Sequence, residues 1–303
     1  MAGPLGLNIA PVQTPTPATV RPAAPRLVRV PLWPQLNDFT LRAYTETARI
    51  PVLGVVDRNA LGGSEHRADW PNRVKFLAQL RAPLLAYVQA GNEWRNVGAS
   101  SFTLTDGDQA YLIDLVADEF RAINPRIVVV AGADATGNPA GAFAALDHEA
   151  TDLIAAHFYW ESGDAMARKV RDARKVSGKR VLVTETNWDA AAVAALLAES
   201  ACAGVIGWWH EPALPAVLGI AGDGNKIAEF RRLADGTQEE PSMPTATQYA
   251  VGQGVKDAMA RNGDTPKGNE AYISASYSLT PGEKAAYLYS GEANQVYQLP
   301  RVS

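Results

Sequence analysis

The sequence is poor in cysteine and has no surplus of basic residues. Its 303 residues include a single cysteine, Cys202, so no internal disulfide can form. Because Cys202 lies in the apolar segment AESACAGVIGWW, we interpret it as a small core residue. The 28 Lys and Arg residues against 32 Asp and Glu residues give a net charge of −4. This balance gives no electrostatic support for a nucleic-acid partner.

Long apolar runs are also missing. No segment has about 18 uninterrupted apolar residues, so we expect no transmembrane helix and no membrane partner. The first residues, MAGPLGLNIAPV, show neither a basic leader nor an adequate apolar stretch for a signal peptide. The sequence leaves localisation open between a cytoplasmic protein, one released by lysis, and one secreted with its leader removed.

Several motifs of cofactor and nucleophile chemistry are absent from the sequence. There is no GxGxxG after a first strand, no GxxxxGK[ST] loop and no GxSxG elbow. His66 and His148 have no partners at metal-ligand spacing. We therefore expect no bound cofactor and no metal site.

Short apolar runs rich in β-branched residues recur along the first 210 residues and predict eight strands, at 5–10, 26–33, 50–57, 84–93, 126–134, 151–160, 180–185 and 203–210. Helical spacing lies between or after most of them, at 36–49, 70–80, 109–123, 137–149, 163–178, 189–202 and 224–235. The Pro- and Thr-rich stretch 11–26 is too broken for a long helix, and 57–69 is predicted as a glycine-containing loop. This alternation predicts an α/β fold, a (β/α)8 TIM barrel over residues 1–236, with an open doubly wound sheet as the alternative.

The character of the chain changes after residue 236. A polar, Pro-containing link leads to a predicted helix at 247–263, a strand with period-two alternation at 270–279, and an extended segment at 284–299. We interpret residues 237–303 as a C-terminal helix and β-hairpin appendage that packs on the barrel. Its tyrosines are candidates for packing the hairpin, for binding sugar, or for holding a second copy or a partner protein.

Polar and aromatic residues stand at the ends of the predicted strands, where the functional groups of such barrels cluster. They are Arg29, Trp33, Asp57, Asn92, Glu93, His157, Tyr159, Glu185, Trp208 and Trp209. Glu93 and Glu185 each end an apolar run. Two carboxyl groups that face each other across a barrel mouth match the requirement of glycosidic bond cleavage.

In these positions the chain resembles the clan A glycoside hydrolases, the 4/7 superfamily of retaining enzymes. The resemblance covers about residues 5–235 and is carried by five features in order: Arg29 in LVRVPLW, Asn92-Glu93 in QAGNEW, His157-Phe158-Tyr159, Glu185 in VLVTETNW, and Trp208 or Trp209 at the end of the eighth strand. The family within the clan is not assigned. The chain departs from a typical member in its nearly absent first helix and in its C-terminal hairpin.

The resemblance implies a retaining glycoside hydrolase that cleaves a β-linked poly- or oligosaccharide by double displacement. Glu93 would be the acid/base and Glu185 the nucleophile, while Asn92 would hold the sugar 2-hydroxyl. Arg29 would favour the charged form of Glu185, and Tyr159 would donate a hydrogen bond to it. His157, Trp208, Trp209, Trp33 and Asp57 complete the predicted substrate-binding set.

Other interpretations of these residues stay open from the sequence. Glu93 could pair with Arg95, Glu185 could form a structural ion pair with Arg29, and His157 could be a core histidine. If the eighth strand is regular, Trp208 and Trp209 point to opposite faces, so at least one packs in the core. Trp33 and Trp94 are subsite walls or rim packing, and Asp57, Asp134, Glu161 and Glu211 either line subsites or are solvated. For the whole chain, the alternatives are a non-catalytic carbohydrate-binding or assembly module and a transglycosylase using the same two glutamates.

Overall fold

A computed structural model of the chain describes residues 3–9, 15–33, 36, 38–62, 64–94, 104–133, 136–146, 149–210, 219–236, 286–290 and 295–299. The chain divides into two compact units, Met1–Pro241 and Ser242–Ser303. Among the described residues, no helix is both long and apolar enough to cross a membrane.

The first unit contains a closed barrel of eight parallel strands, in which β1 pairs with both β2 and β8. The strands are β1 Leu5–Ile9, β2 Leu27–Pro31, β3 Val52–Val56, β4 Tyr87–Ala90, β5 Val128–Ala131, β6 Leu153–Phe158, β7 Val181–Thr186 and β8 Cys202–His210. Each lies within or overlaps one of the eight predicted runs. The predicted (β/α)8 fold is confirmed, and the open-sheet alternative is wrong because β1 and β8 are paired.

The described residues include nine α-helices: α1 Pro17–Val20, α2 Asp38–Arg42, α3 Arg58–Leu61, α4 Trp70–Arg81, α5 Asp106–Ile123, α6 Pro139–Leu146, α7 Gly163–Ser177, α8 Ala190–Ala198 and α9 Gly224–Gly236. A π-helical turn, Ala43–Thr47, continues α2. Short 3-10 turns follow α1, precede α4 and follow α4. Only α1 and a 3-10 turn lie between β1 and β2 among the described residues, where the sequence predicted no long helix.

Local signals explain where several helices begin and end. The Thr105 hydroxyl accepts from the Asp108 backbone N–H, and the Asp108 carboxylate accepts from the Thr105 N–H, which fixes the start of α5 as a capping box. Gly178, the last residue of the helix predicted over 163–178, ends α7 with φ 73°, because this left-handed backbone favours glycine. The prediction of a loop at 57–69 was wrong: Asp57 caps a one-turn helix, α3, by accepting from the Asn59 and Ala60 N–H groups.

Two apolar clusters separate the inside of the barrel from its outside. The inner cluster is formed by residues of the strands and their ends, Leu27, Leu53, Val130, Ala133, Ala155, Leu182, Ala203 and Ile206. The larger outer cluster takes the alternate strand residues, such as Val28, Val129 and Val183, and packs them against the helices. This division follows from the period-two alternation of side chains along each strand.

In the second unit, the described strands are β9 Ala286–Ser290 and β10 Gln295–Leu299, which pair antiparallel with Ser290 opposite Gln295. The segment 284–299, predicted as one extended arm of the hairpin, thus contains two strands that pair with each other. The predicted helix at 247–263 and strand at 270–279 lie outside the described residues. That the appendage packs on the barrel stays a prediction.

Candidate active site

A polar layer lies directly above the inner apolar cluster. Arg29, His157 and Trp208 each stand two residues beyond an inward-facing apolar residue, Leu27, Ala155 and Ile206 respectively. Strand alternation therefore carries all three side chains to the inner face, toward the carboxyl end of the barrel. Arg29 and His157 are almost completely buried. These strands thus bring three of the predicted site residues to the same face.

A β-bulge places Glu185 in the same layer. Along β7, Leu182 belongs to the inner cluster, so unbroken alternation would turn Thr184 inward and Glu185 outward. The register with β6 shifts instead: Ala156 pairs with Val183, and His157 pairs with Glu185. The extra residue is Thr184, whose buried hydroxyl has no hydrogen-bond partner among the residues that the structure describes. The bulge therefore aims Glu185 at the barrel interior beside His157.

Arg29 connects several groups of this site through its guanidinium. Its Nη1 donates to Glu185 Oε1 at 2.7 Å, its Nη2 donates to Asn92 Oδ1 at 2.6 Å, and its Nε donates to Gln89 Oε1 at 3.1 Å. Arg29 and Glu185 form a buried ion pair, with side chains 2% and 7% exposed. Because a buried charge needs such partners, this network fixes the position of the Glu185 carboxylate.

Gln89 is a site residue that the sequence analysis missed. It is completely buried on β4, and its Nε2 donates to the Gly91 carbonyl at 2.8 Å. In the sequence, Gln89 could have been identified as the polar residue inside the apolar run LLAYVQA. The structure places it on the inner face, two residues beyond the inward-facing Tyr87. Gln89 thus supports Arg29 and, at the same time, the turn that carries Asn92 and Glu93.

Glu93 sits on a tight turn just beyond β4. Its backbone has φ 47°, in the left-handed region that non-glycine residues rarely adopt, and Gly91 has φ 83°. The Glu93 carboxylate lies 3.1 Å from His157 Nδ1, and His157 Nε2 lies 3.6 Å from Glu185 Oε1. His157 is therefore interposed between the two glutamates. One ligand atom from each of the three residues lies within 4.8 Å of the others.

Tyr159 and Trp208 complete the surroundings of Glu185. The Tyr159 hydroxyl donates to Glu185 Oε2 at 2.5 Å, and Trp208 Nε1 donates to the Tyr159 hydroxyl at 3.1 Å. Burial, together with the negative charge of Glu185, raises the pKa of Tyr159, so this phenol stays protonated as a donor. Glu185 thus receives charge-assisted hydrogen bonds from Arg29 on one oxygen and from Tyr159 on the other.

Other predicted site residues are placed differently. Trp209 is buried in the outer cluster, packed with the helices, while Trp208 belongs to the site. Trp33 Nε1 donates to both oxygens of Asp57, at 2.9 and 2.8 Å, and Asp57 also caps α3. Burial raises the pKa of Asp57, against the opposing effect of these hydrogen bonds. Trp94 is buried in the core.

Some candidates from the sequence are either paired elsewhere or outside the described residues. Glu161 pairs with Lys169, with 2.8 Å between Nζ and the carboxylate. Asp134, Glu211, Arg95 and His148 lie outside the described residues. The proposed salt bridge between Glu93 and Arg95 is therefore untested.

Glu93, His157 and Glu185 also have the donor types of a metal site. However, the Arg29 guanidinium already contacts Glu185 at 2.7 Å. Its positive charge would oppose a cation bound to the same carboxylate.

Comparison with known proteins relates the barrel to solved structures rather than to a sequence family. No family model matches the sequence, and no curated protein matches it significantly. The chain is similar in structure to a fungal β-1,4-galactanase, with a TM-score of 0.60 and 14% identity over 77% of this chain and 100% of the other. A glucosidase from Croceicoccus marinus gives a TM-score of 0.60 and 12% identity, covering 77% of this chain and 67% of the other.

A third similar structure is an endo-β-1,3-glucanase of family GH128 from Amycolatopsis mediterranei, solved in complex with laminarihexaose. Its TM-score is 0.53 at 13% identity, covering 76% of this chain and 98% of the other. At these identities the comparisons establish a shared fold, the TIM barrel found in these glycoside hydrolases.

Proposed function

We propose that this protein is a retaining glycoside hydrolase that acts on a β-linked poly- or oligosaccharide. The observation that carries the proposal is the proximity of Glu93 and Glu185, which present carboxylate oxygens within 4.8 Å of each other in the barrel mouth. Retaining enzymes hold their two carboxyl groups about 5–5.5 Å apart, whereas inverting enzymes leave about 6.5–9.5 Å for a water molecule. The close pair favours the retaining reaction.

The two glutamates have environments suited to different roles. Glu185 accepts from Arg29 and Tyr159, and both donors stabilise an ionised carboxylate, as a nucleophile requires. Glu93 is more exposed, with its side chain 28% accessible, and its carboxylate contacts the His157 imidazole. It is therefore the group able to exchange protons with a substrate and with water.

The reaction proceeds in two displacements. Protonated Glu93 gives its proton to the glycosidic oxygen while Glu185 attacks the anomeric carbon, so the glycosidic bond breaks and a glycosyl ester of Glu185 forms. Ionised Glu93 then takes a proton from water, and the oxygen of that water displaces Glu185 from the anomeric carbon. The sugar is released with its original anomeric configuration, and both glutamates return to their starting states.

Neighbouring residues would position the reacting sugar. Because Asn92 Oδ1 accepts from Arg29, its Nδ2 group is the one able to donate to the sugar 2-hydroxyl. Trp208, held by its bond to Tyr159, would provide the aromatic floor of that subsite. The similar galactanase and endo-β-1,3-glucanase are named for β-linked polysaccharides, which supports the same substrate class here.

We assign the catalytic role to the barrel, residues 1–236, and treat 237–303 as a separate appendage. The appendage hairpin is our candidate surface for self-association or for a partner protein. Trp209 packs in the outer cluster, whereas Trp33 and Asp57, which contact each other, are retained in the proposal as candidate substrate-binding residues.

The test is hydrolysis of a panel of aryl β-glycosides and β-glucan, galactan and mannan by the wild type, Glu93→Ala and Glu185→Ala. We expect an active wild type, an inactive Glu185→Ala, and a Glu93→Ala variant that azide rescues on aryl glycosides by replacing water as the second nucleophile. Elongated products would indicate a transglycosylase. Polysaccharide binding without turnover on any substrate would favour the binding module, and activity that survives both substitutions would refute the assignment of the glutamates.

A further inference from the structure

Trp160 is the most exposed of the large apolar side chains that the structure describes, at 68%. It directly follows Tyr159 at the carboxyl end of β6. Its large apolar ring is therefore available to a ligand. Phe76, at 60% on the outer helix α4, is similarly exposed but belongs to a helix rather than to the barrel mouth.

The backbone at Trp160 is in an unfavourable conformation. Its φ is 62°, in the left-handed region, where a bulky side chain costs free energy. Such conformations persist where surrounding contacts hold them, and they cluster at functional sites.

Two contacts connect this turn to β7, the strand of the nucleophile. The Trp160 backbone N–H donates to Asn187 Oδ1 at 2.8 Å, and Asn187 lies two residues after Glu185. The preceding Tyr159 donates to Glu185 itself. The turn that presents the indole is therefore attached to the same strand end as the proposed nucleophile.

The following residues fix the other side of the turn. Glu161 pairs with Lys169 of α7, with 2.8 Å between the charged groups, and the Ser162 hydroxyl accepts from the Ala165 N–H to cap α7. The backbone on both sides of Trp160 is thus anchored. Because the turn that carries the indole is already fixed, less conformational freedom is lost when a ligand binds.

We propose that Trp160 is a sugar-stacking platform for a subsite next to the one that holds the reacting sugar. The inference rests on the proposed function and adds a substrate-length requirement to it. The apolar C–H face of a β-linked pyranose would cover the exposed indole, while the sugar hydroxyls point to water. Only substrates of several sugar units reach this subsite, so Trp160 determines specificity for chain length.

The experiment compares wild type, Trp160→Ala, Trp160→Phe and the matched control Phe76→Ala on two substrates. One is the aryl β-glycoside that the wild type cleaves fastest, and the other is the best of laminarihexaose and the β-1,4-linked galacto- and mannohexaoses. For Trp160→Ala we expect kcat/KM on the hexasaccharide to fall about five- to tenfold, mainly through KM, since one aromatic stack is lost. The loss of kcat/KM on the aryl glycoside should be at least several times smaller. Trp160→Phe should retain most of the wild-type kcat/KM on the hexasaccharide, and Phe76→Ala should match the wild type on both substrates.

Failure of the Trp160 platform can be distinguished from failure of the hydrolase assignment. If wild type is active and Trp160→Ala shows the same relative loss on both substrates, or no loss, the platform is refuted while the hydrolase assignment stands. If the wild type cleaves nothing, affinity electrophoresis in gels with β-glucan, galactan or mannan decides. Retardation of wild type and Phe76→Ala but not of Trp160→Ala would support the platform without hydrolysis, and equal mobility of all three would overturn it.

Discussion

The buried ion pair between Arg29 and Glu185 gives a prediction about stability that does not depend on knowing the substrate. Arg29→Met keeps the apolar stem of the side chain and removes the charge that faces Glu185 at 2.7 Å. The Glu185 carboxylate is then left almost fully buried, with Tyr159 as its remaining close donor. Breaking a buried pair in this way costs about 3–5 kcal/mol of unfolding free energy.

The partner substitution removes the other charge. Glu185→Gln leaves the Arg29 cation with neutral acceptors only, Gln89 and Asn92 among them, and should cost about 1.5–3 kcal/mol. The double variant Arg29→Met, Glu185→Gln contains no uncompensated charge. It should therefore lose less than the sum of the single variants, by about 2–3 kcal/mol.

The assay is urea unfolding followed by far-ultraviolet circular dichroism at neutral pH, with all four proteins in one cycle. Arg121→Met is the control, because the Arg121–Asp152 pair is solvent-exposed and its loss should cost less than about 1 kcal/mol. If Arg29→Met costs no more than Arg121→Met, or if the two site substitutions are additive within about 0.5 kcal/mol, the buried network does not hold Glu185 as described.

Three further predictions address single residues of the site. Glu93→Gly should be more stable than Glu93→Ala by about 1 kcal/mol in urea unfolding, because the backbone φ of 47° favours glycine. At the control position Glu119, inside α5, the alanine variant should be the more stable of the two. A glycine variant that is less stable than the alanine variant at both positions would contradict backbone strain at Glu93. Burial raises the pKa of Asp57 above its ordinary value of 3.8, so the folded state binds this proton more tightly than the unfolded state does. The unfolding free energy of the wild type, relative to that of Asp57→Asn, should therefore decline as the pH rises above 3.8. A difference between the two proteins that does not change with pH would contradict this. Tyr159→Phe removes a donor to Glu185 and should lower kcat by about 10–100-fold, with Tyr111→Phe on α5 unchanged; equal kcat values in the two variants would exclude the role of the phenol.

The sequence predicts the barrel well because strand formation here is a local signal. Each strand is a short apolar run, and the polar residues that end these runs necessarily meet at one end of a parallel barrel. This is why the residue pattern alone assigns Arg29, Asn92 and Tyr159 to one site. The helix ends at Thr105 and Gly178 were predictable for the same reason, since capping depends on neighbouring residues.

The remaining features depend on register and on backbone conformation, which the residue types alone do not specify. The bulge at Thr184 decides that Glu185 faces inward, and it arises from pairing with β6. Gly91 is typical of a turn after β4, but the left-handed conformation at Glu93 falls on a residue type that rarely adopts it, so the residue type does not predict it. Which of Trp208 and Trp209 faces the site depends on which face of β8 points into the barrel. The structure shows this, because Ile206, two residues before Trp208, lies in the inner cluster and Trp209 lies in the outer one.

In the proposed reaction, Glu93 and Glu185 act as a close pair in a double displacement. Proton NMR of the first sugar product, recorded before mutarotation, tests it most directly on the fastest-cleaved aryl β-glycoside or β-linked hexasaccharide. The 4.8 Å approach of the carboxylates predicts that the β-anomer forms first and converts slowly to the equilibrium mixture. Initial release of the α-anomer would mean a single displacement by water and would contradict the role of Glu185 as nucleophile.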